Sequence, residues 1–294
     1  MAVASVIGGA GRMGAWFATF LKKNGYRVVI CDKNKSMARN LARTKGFWFA
    51  PDPRLAAQLA DLVILATPTL VTKDLLKQIE PHISHNTLLV EISSVKEPLR
   101  RILQQMRKRC VAILSIHPMF GPGIKTLTEQ AILTVLLPRN DAAARKFLSL
   151  FRKKGARIIR SDFARHDRLA SVALALPHFM NIAMVNTIKS MGVPPNHLRE
   201  IAGTTSKLQL VIAEAVYHET LGNEASILMD SRHSVNALRT FARESNKALS
   251  FIKRGRRGGL LRSLGNGRKF VRKDRMFPSA YSRFNAAVEA SSLD

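Results

Sequence analysis

"VASVIGGAGRMGAWFATFLKKNGYRVVICD", residues 3 to 32, decides the fold of this chain. Val3 to Ile7 form an apolar run of strand length. Gly9, Gly11 and Gly14 follow on the pattern G-x-G-x-x-G, and Met13, Phe17, Phe20 and Leu21 then recur at helical spacing. Tyr26 to Ile30 make a second strand that ends at Asp32. Strand, glycines, helix, strand and acid, in that order, are the fingerprint of a βαβ dinucleotide-binding unit. The first glycine is expected to permit the tight turn, the second to let backbone approach a pyrophosphate, and the third to bring helix and strand together. The helix N-terminus, opening at Arg12 and Met13, offers N–H groups and a positive dipole end to the phosphates. Asp32 is placed to accept from a ribose 2′-hydroxyl, which favours NAD, while Lys33 and Lys35 beside it keep NADP as the alternative.

Outward from this unit, strand-like runs recur at 61–68, 87–94, 111–118, 131–138 and 156–162, separated by helical patterns at 70–81, 96–109 and 140–154. The fold class expected is α/β: a Rossmann-type dinucleotide-binding domain over residues 1–162. Ligands of such sheets lie beyond the carboxyl ends of the strands, which singles out Thr67-Pro68, Ser93-Ser94 and His117. From residue 163 the β pattern stops, and an all-helical domain is expected over 163–252. A basic segment, 253–294, closes the chain.

Composition bounds the remaining choices. At 294 residues the chain is long enough for two domains, and 46% hydrophobic residues is ordinary for a folded protein. No leader is expected ahead of the first strand, and charged residues are expected to interrupt every stretch of membrane-spanning length. Cys31 and Cys110 show no disulfide or metal spacing, the histidines are scattered, and no metal site is expected. A reducing, cytoplasmic setting is the one expected from this cysteine usage. The net charge of +27 attracts polyanions and anionic substrates alike. Part of it lies in KRGRRGGLLRSLGNGRKFVRKDR (253–275), readable as a nucleic-acid-binding tail or as a solvated, partly disordered or subunit-contacting basic segment. Phe270 is the one aromatic there, which offers no stacking platform, so nucleic acid is not the expected partner.

Four stretches together carry a resemblance: IGGAGRMG at 7–14, SSVK at 93–96, HPMFGP at 117–122 and HDRLASVALALPHF at 166–179. Over roughly residues 3 to 250 the chain resembles the prephenate/arogenate dehydrogenase family of tyrosine biosynthesis. The resemblance implies a small-molecule substrate, a homodimer, and NAD-dependent oxidative decarboxylation of prephenate to 4-hydroxyphenylpyruvate. Arogenate is the alternative substrate. It places a hydrogen-bond acceptor for the substrate hydroxyl on His117, with an acidic limb in the pH profile expected near the ordinary histidine value of about 6.5. Pro118 and Gly121-Pro122 are expected to hold that imidazole in place. Ser94 resembles a serine that bonds the same histidine and the substrate; as an N-cap ahead of the following helix it has a structural reading too. His178 resembles a second histidine facing the substrate, though a lone histidine on an apolar helix is also a common core residue. Many members carry a carboxylate-gripping arginine where this chain reads AGTTSKLQLVIAEA (202–215), and Lys207 is the cation available there. Two rivals remain: a β-hydroxyacid dehydrogenase, which the HPMFGP loop argues against, and a dinucleotide-sensing nucleic-acid-binding protein.

Overall fold

The computed structural model describes residues 1–108, 112–136, 142–218 and 220–291, so Cys110 and the expected strand positions 137–138 lie outside the described residues. The chain divides into two compact units, Met1–Ala170 and Ser171–Asp294.

The first unit alternates strands and helices as the apolar runs require: β1 Val3–Ile7, α1 Arg12–Lys23, β2 Arg27–Cys31, α2 Lys35–Lys45, β3 Trp48–Phe49, α3 Pro53–Gln58, β4 Leu62–Leu65 and α4 Thr69–Ile79. There follow β5 Leu88–Glu91, α5 Arg100–Lys108, β6 Ala112–Pro118, β7 Ala131–Leu136, α6 Ala142–Arg152, β8 Arg157–Arg160 and α7 Phe163–Ala170. The strands form one sheet in the order β3-β2-β1-β4-β5-β6-β7-β8, parallel except for the antiparallel β6–β7 pair. Both faces are buried, so the strands read as unbroken apolar runs whose alternate residues go to different cores. Val28, Ile30, Leu62 and Ile64 join Phe17, Leu21 and Phe147 on one face, while Val29, Cys31, Val63 and Leu65 join Leu76, Leu99 and Leu103 on the other. The α/β class is therefore as expected.

Sequence and structure differ in three places here. Residues 35–58, which carry no clear periodic signal, fold into α2, β3 and α3; α2 buries only Ala38 and Ala42, side chains too small to mark a face. The unit boundary falls at 170/171 rather than 162/163, because α7 is anchored in the first unit by Phe163 in its core and by Asp167, which caps the backbone of residues 96 and 97. Charges do not interrupt every long apolar stretch either: Leu169 to Ile188 contain no Lys, Arg, Asp or Glu. The 28-residue helix Phe163–Ser190 is long and apolar enough, by length and composition, to cross a membrane.

The second unit is helical among its described residues: α8 Leu176–Ser190, preceded by a π-helical turn at Ser171–Ala175, then α9 Pro195–Ile201, α10 Thr204–Tyr217, α11 Leu221–Met229, α12 Arg232–Lys253, α13 Arg257–Val271 and α14 Ala280–Ala290. Phe179 of α8 meets Phe241 of α12 edge-on at 6.1 Å, and Gln209 of α10 bonds Asn181 of α8. The basic segment is thus not a separate region: α13 is a regular helix, and α14 packs back on α10 with Val288 buried.

Candidate active site

β1 pairs with β2 on one side and β4 on the other, so the strand order reverses there and the loops after β1 and β4 flank a crevice. The tight turn falls on Gly8, just ahead of the expected motif, at φ +83°; a Cβ there would lie 2.3 Å from the Ala66 carbonyl oxygen. Gly14 allows the closest approach, since a Cβ would come within 2.0 Å of the Gly8 oxygen. Gly9 lies against Ile30, and Gly11, the N-cap of α1, has no side chain with which to cap the first turn. Arg12 is exposed and Met13 packs against the core beside it. Asp32 follows β2, its Oδ2 accepting from the Ala10 N–H at 3.0 Å and its Oδ1 from the Asn34 N–H at 2.9 Å. A carboxylate has about four lone-pair sites, so acceptor capacity is left for a ribose hydroxyl. Across the crevice Thr67 lies beside Gly8, its hydroxyl 2.8 Å from that of Thr72, and Pro68 is the N-cap of α4. Gly9, Gly11, Arg12, Met13, Gly14, Asp32, Thr67 and Pro68 therefore gather at one sheet edge. A turn that admits no Cβ and an uncapped helix end fit a dinucleotide pyrophosphate.

His117 lies at the end of β6, on that same carboxyl edge because β6 runs parallel to β5. The β6–β7 register slips between Ser115 and Ile116, and such a bulge re-aims the side chains that follow it. Pro118 ends the strand, the Met119 N–H bonds the Ala131 carbonyl at 2.9 Å, and Phe120 packs on Trp16 of α1 with centroids 5.3 Å apart. Gly121 and Gly123 have open space around them and ordinary backbone, so these contacts, rather than the glycines, fix the loop.

The partner of His117 is not Ser94. The imidazole is 4% exposed, and its Nδ1 lies 3.0 Å from Nε2 of His166, whose Nδ1 lies 2.7 Å from Oδ1 of Asp167. Asp167 also accepts the N–H groups of Lys96 and Glu97, each at 2.9 Å. Ser94 is half-buried with no side-chain hydrogen bond among the described residues, and it caps no helix there; the α5 region opens instead as a 3₁₀ turn at Glu97–Leu99. Beneath His117 sits a fully buried ion pair. Lys96 Nζ lies 2.7 Å from Glu91 Oε1 and 2.6 Å from the Ile116 carbonyl oxygen. Ser115 donates to the same Glu91 oxygen, and Glu91 Oε2 accepts the Ser93 N–H at 2.9 Å.

Burial, then the neighbouring His166 and Lys96, hold His117 well below the usual histidine range, so it is neutral at pH 7. A pH limb set by this imidazole would accordingly be expected below 6.5 rather than at it. Burial also lowers His166, against the opposing bond from Asp167. For Asp167 burial pushes upward, but the bonds from His166 and from the backbone of Lys96 and Glu97 outweigh it and leave the carboxyl below its ordinary value. Burial lowers Lys96, opposed by Glu91. His166, Asp167 and Lys96 lie within the motifs at 93–96 and 166–179, but nothing in their sequence context marks them for this network. The one local signal was Glu91, an acid inside an apolar strand.

The second unit holds His178 and Lys207. His178 Nδ1 lies 2.6 Å from Oε2 of Glu224, whose other oxygen is buried without a partner. Lys207 is exposed in the first turn of α10, while Arg199 is paired with Glu214.

Residues 17–160 match the family described as prephenate dehydrogenase, nucleotide-binding domain. A probable arogenate/prephenate dehydrogenase of Methanocaldococcus jannaschii is 28% identical over 269 residues, covering 90% of this chain and 60% of that protein. The T-protein of Haemophilus influenzae is 25% identical, covering 87% and 63%. The chain thus spans less than two thirds of these two relatives. Among solved structures, prephenate dehydrogenase from A. aeolicus in complex with hydroxyphenyl propionate and NAD+ shares the fold at TM-score 0.74 and 19% identity, covering 93% of this chain and 99% of that one. Synechocystis arogenate dehydrogenase does so at 0.66 and 17%, covering 92% and 99%.

Proposed function

We propose, from the match of residues 17–160 to the prephenate dehydrogenase nucleotide-binding domain and the likeness to an arogenate/prephenate dehydrogenase, that this chain is an enzyme of that family and oxidises prephenate with NAD, releasing CO₂ and 4-hydroxyphenylpyruvate. One observation carries the reading: a buried, neutral imidazole at the carboxyl edge of a dinucleotide sheet, with Nδ1 engaged and Nε2 left without a protein partner among the described residues. Hydride loss from the ring carbon makes its hydroxyl acidic, and Nε2 of His117 accepts that proton. Loss of the ring carboxylate as CO₂ then sends an electron pair into the ring and onto that oxygen, which takes the proton back from His117 as the phenol forms. No net proton is released. A bound nicotinamide dinucleotide supplies the hydride acceptor. Asp32 favours NAD over NADP, because a 2′-phosphate would crowd its carboxylate with like charge.

His178, with Nδ1 held by Glu224, is assigned to substrate binding on the family resemblance, and the exposed Lys207 is assigned a substrate carboxylate as the cation in the stretch where many members carry an arginine. The apolar faces of the helical unit are assigned to a second copy of the chain: α8 buries only Asn181, and Met191, Ile201 and Leu221 are exposed. Light scattering should then give twice the chain mass. The deciding assay follows NADH formation with prephenate and arogenate side by side. Faster turnover of prephenate is expected, preference for arogenate would reassign the substrate, and failure with both would overturn the reading.

A further inference from the structure

We propose that Asp167 and His166 are a positioning pair that fixes His117 in the tautomer with Nδ1 protonated and Nε2 bare, and that disperses the positive charge His117 gains during the reaction. The inference rests on the proposed role of His117 and goes beyond it by setting the direction of every hydrogen bond in the chain. Direction is fixed at the Asp167 end. Its carboxylate has no proton to give and already accepts the N–H groups of Lys96 and Glu97, so His166 Nδ1 must donate to it. A neutral imidazole has one donor, so His166 Nε2 is an acceptor. His117 Nδ1 must then donate to it across 3.0 Å, and its proton is thereby accounted for. Nε2 is left as a lone pair, which is the form a hydrogen-bond acceptor for a substrate hydroxyl requires.

The surrounding charges support this direction. The alternative, a doubly protonated His166, would reverse the His117 bond and put a proton on Nε2. Lys96 opposes that cation, while Glu91 and Asp167 favour it, and the net effect with burial is to disfavour the charge. Glu91 is itself occupied by Lys96, Ser115 and the Ser93 N–H. Since the substrate proton is returned at the end of the cycle, the chain has no proton to export. When Nε2 of His117 becomes protonated, the Nδ1–H bond to His166 strengthens, and the charge is shared toward the Asp167 carboxylate. The Ser-His-Asp triad uses a carboxylate in the same way, and its carboxamide variant leaves the imidazole in the wrong tautomer.

The test is a long-range proton–nitrogen correlation spectrum of the full chain labelled with ¹⁵N-histidine, His117 being assigned through His117→Asn. Wild type should show a pyridine-type Nε2 and a pyrrole-type Nδ1 at His117. Asp167→Asn should reverse or mix these signals and lower kcat by roughly 10²–10⁴-fold with little change in KM. Asp167 also caps backbone, so a second pair guards against a folding defect: His166→Gln keeps a carbonyl acceptor and His166→Phe does not. Gln should hold Nδ1 protonated and exceed Phe in kcat by about tenfold or more. A wild-type His117 protonated on Nε2, or an unchanged tautomer in both Asp167→Asn and His166→Phe, would overturn the proposal. The spectrum needs no turnover, so failure of the substrate assay leaves this test standing, and a normal assay with an unchanged tautomer defeats the pair alone.

Discussion

The two units use charge in opposite ways. In the first, Glu91, Lys96, His117, His166 and Asp167 are buried, and apart from Nε2 of His117 burial sets their hydrogen bonds in a fixed direction. In the second, α13 and its flanks carry a dense run of cations that lie exposed to solvent, and Lys207 is exposed as well. Net charge there speaks of long-range attraction for anions and says little about which residue does chemistry. Where polar groups are dry, position implies a role; where they are wet, only substitution can assign one.

The largest way to break this contrast is at His117. His117→Asn should lower kcat by about 10²–10⁴-fold while leaving the Kd for NAD+ unchanged, read by single-turnover kinetics and cofactor titration. Next is the ion pair beneath it: Lys96→Met leaves Glu91 buried without its cation and should cost about 3–5 kcal/mol in a denaturant melt, with Glu91→Leu in the same chain restoring part of it. An unchanged midpoint would mean that water reaches the pair. In the exposed unit effects should be smaller. Lys207→Ala is expected to raise KM for substrate roughly tenfold through a lost charge-assisted contact of about 1.5–3 kcal/mol; an unaltered KM would hand the task to another of the exposed cations. The smallest effect concerns cofactor choice: Asp32→Ser should narrow the NAD+ to NADP+ ratio of kcat/KM, aided by exposed Lys33 and Lys35.

How much the sequence disclosed follows the same division. Gly9, Gly11, Gly14 and Asp32 stand at fixed short separations, and the strands are continuous apolar runs, so the α/β unit could be read locally. Gly8 escaped because the motif pattern starts one residue later. The stretch 35–58 escaped because alanines carry its buried face. The His117–His166 and Lys96–Asp167 contacts join residues 49 and 71 positions apart, and no periodicity or spacing rule reaches that far. Ser94 was expected beside His117 on the family resemblance; in the fold it is His166, on α7, that meets the imidazole.

Acid sensitivity sharpens the comparison further. His117 and His166 are both lowered in the fold, so the unfolded chain binds more protons, and their contribution to stability is complete above about pH 6.5 and lost as pH falls below it. Thermal melts should show Tm declining below that point, and His117→Asn should lessen the decline.

The most direct test of the central claim, that a dry and directed network holds His117 neutral with Nε2 bare, is the pH dependence of kcat/KM for the intact chain. That profile reports the free enzyme's essential base. Activity should persist on the acidic side of 6.5, with the limb falling through a value clearly below the ordinary histidine one, and the limb should vanish from the residual activity of His117→Asn. A limb at or above 6.5 in the wild type, or the same limb in the variant, would contradict the account.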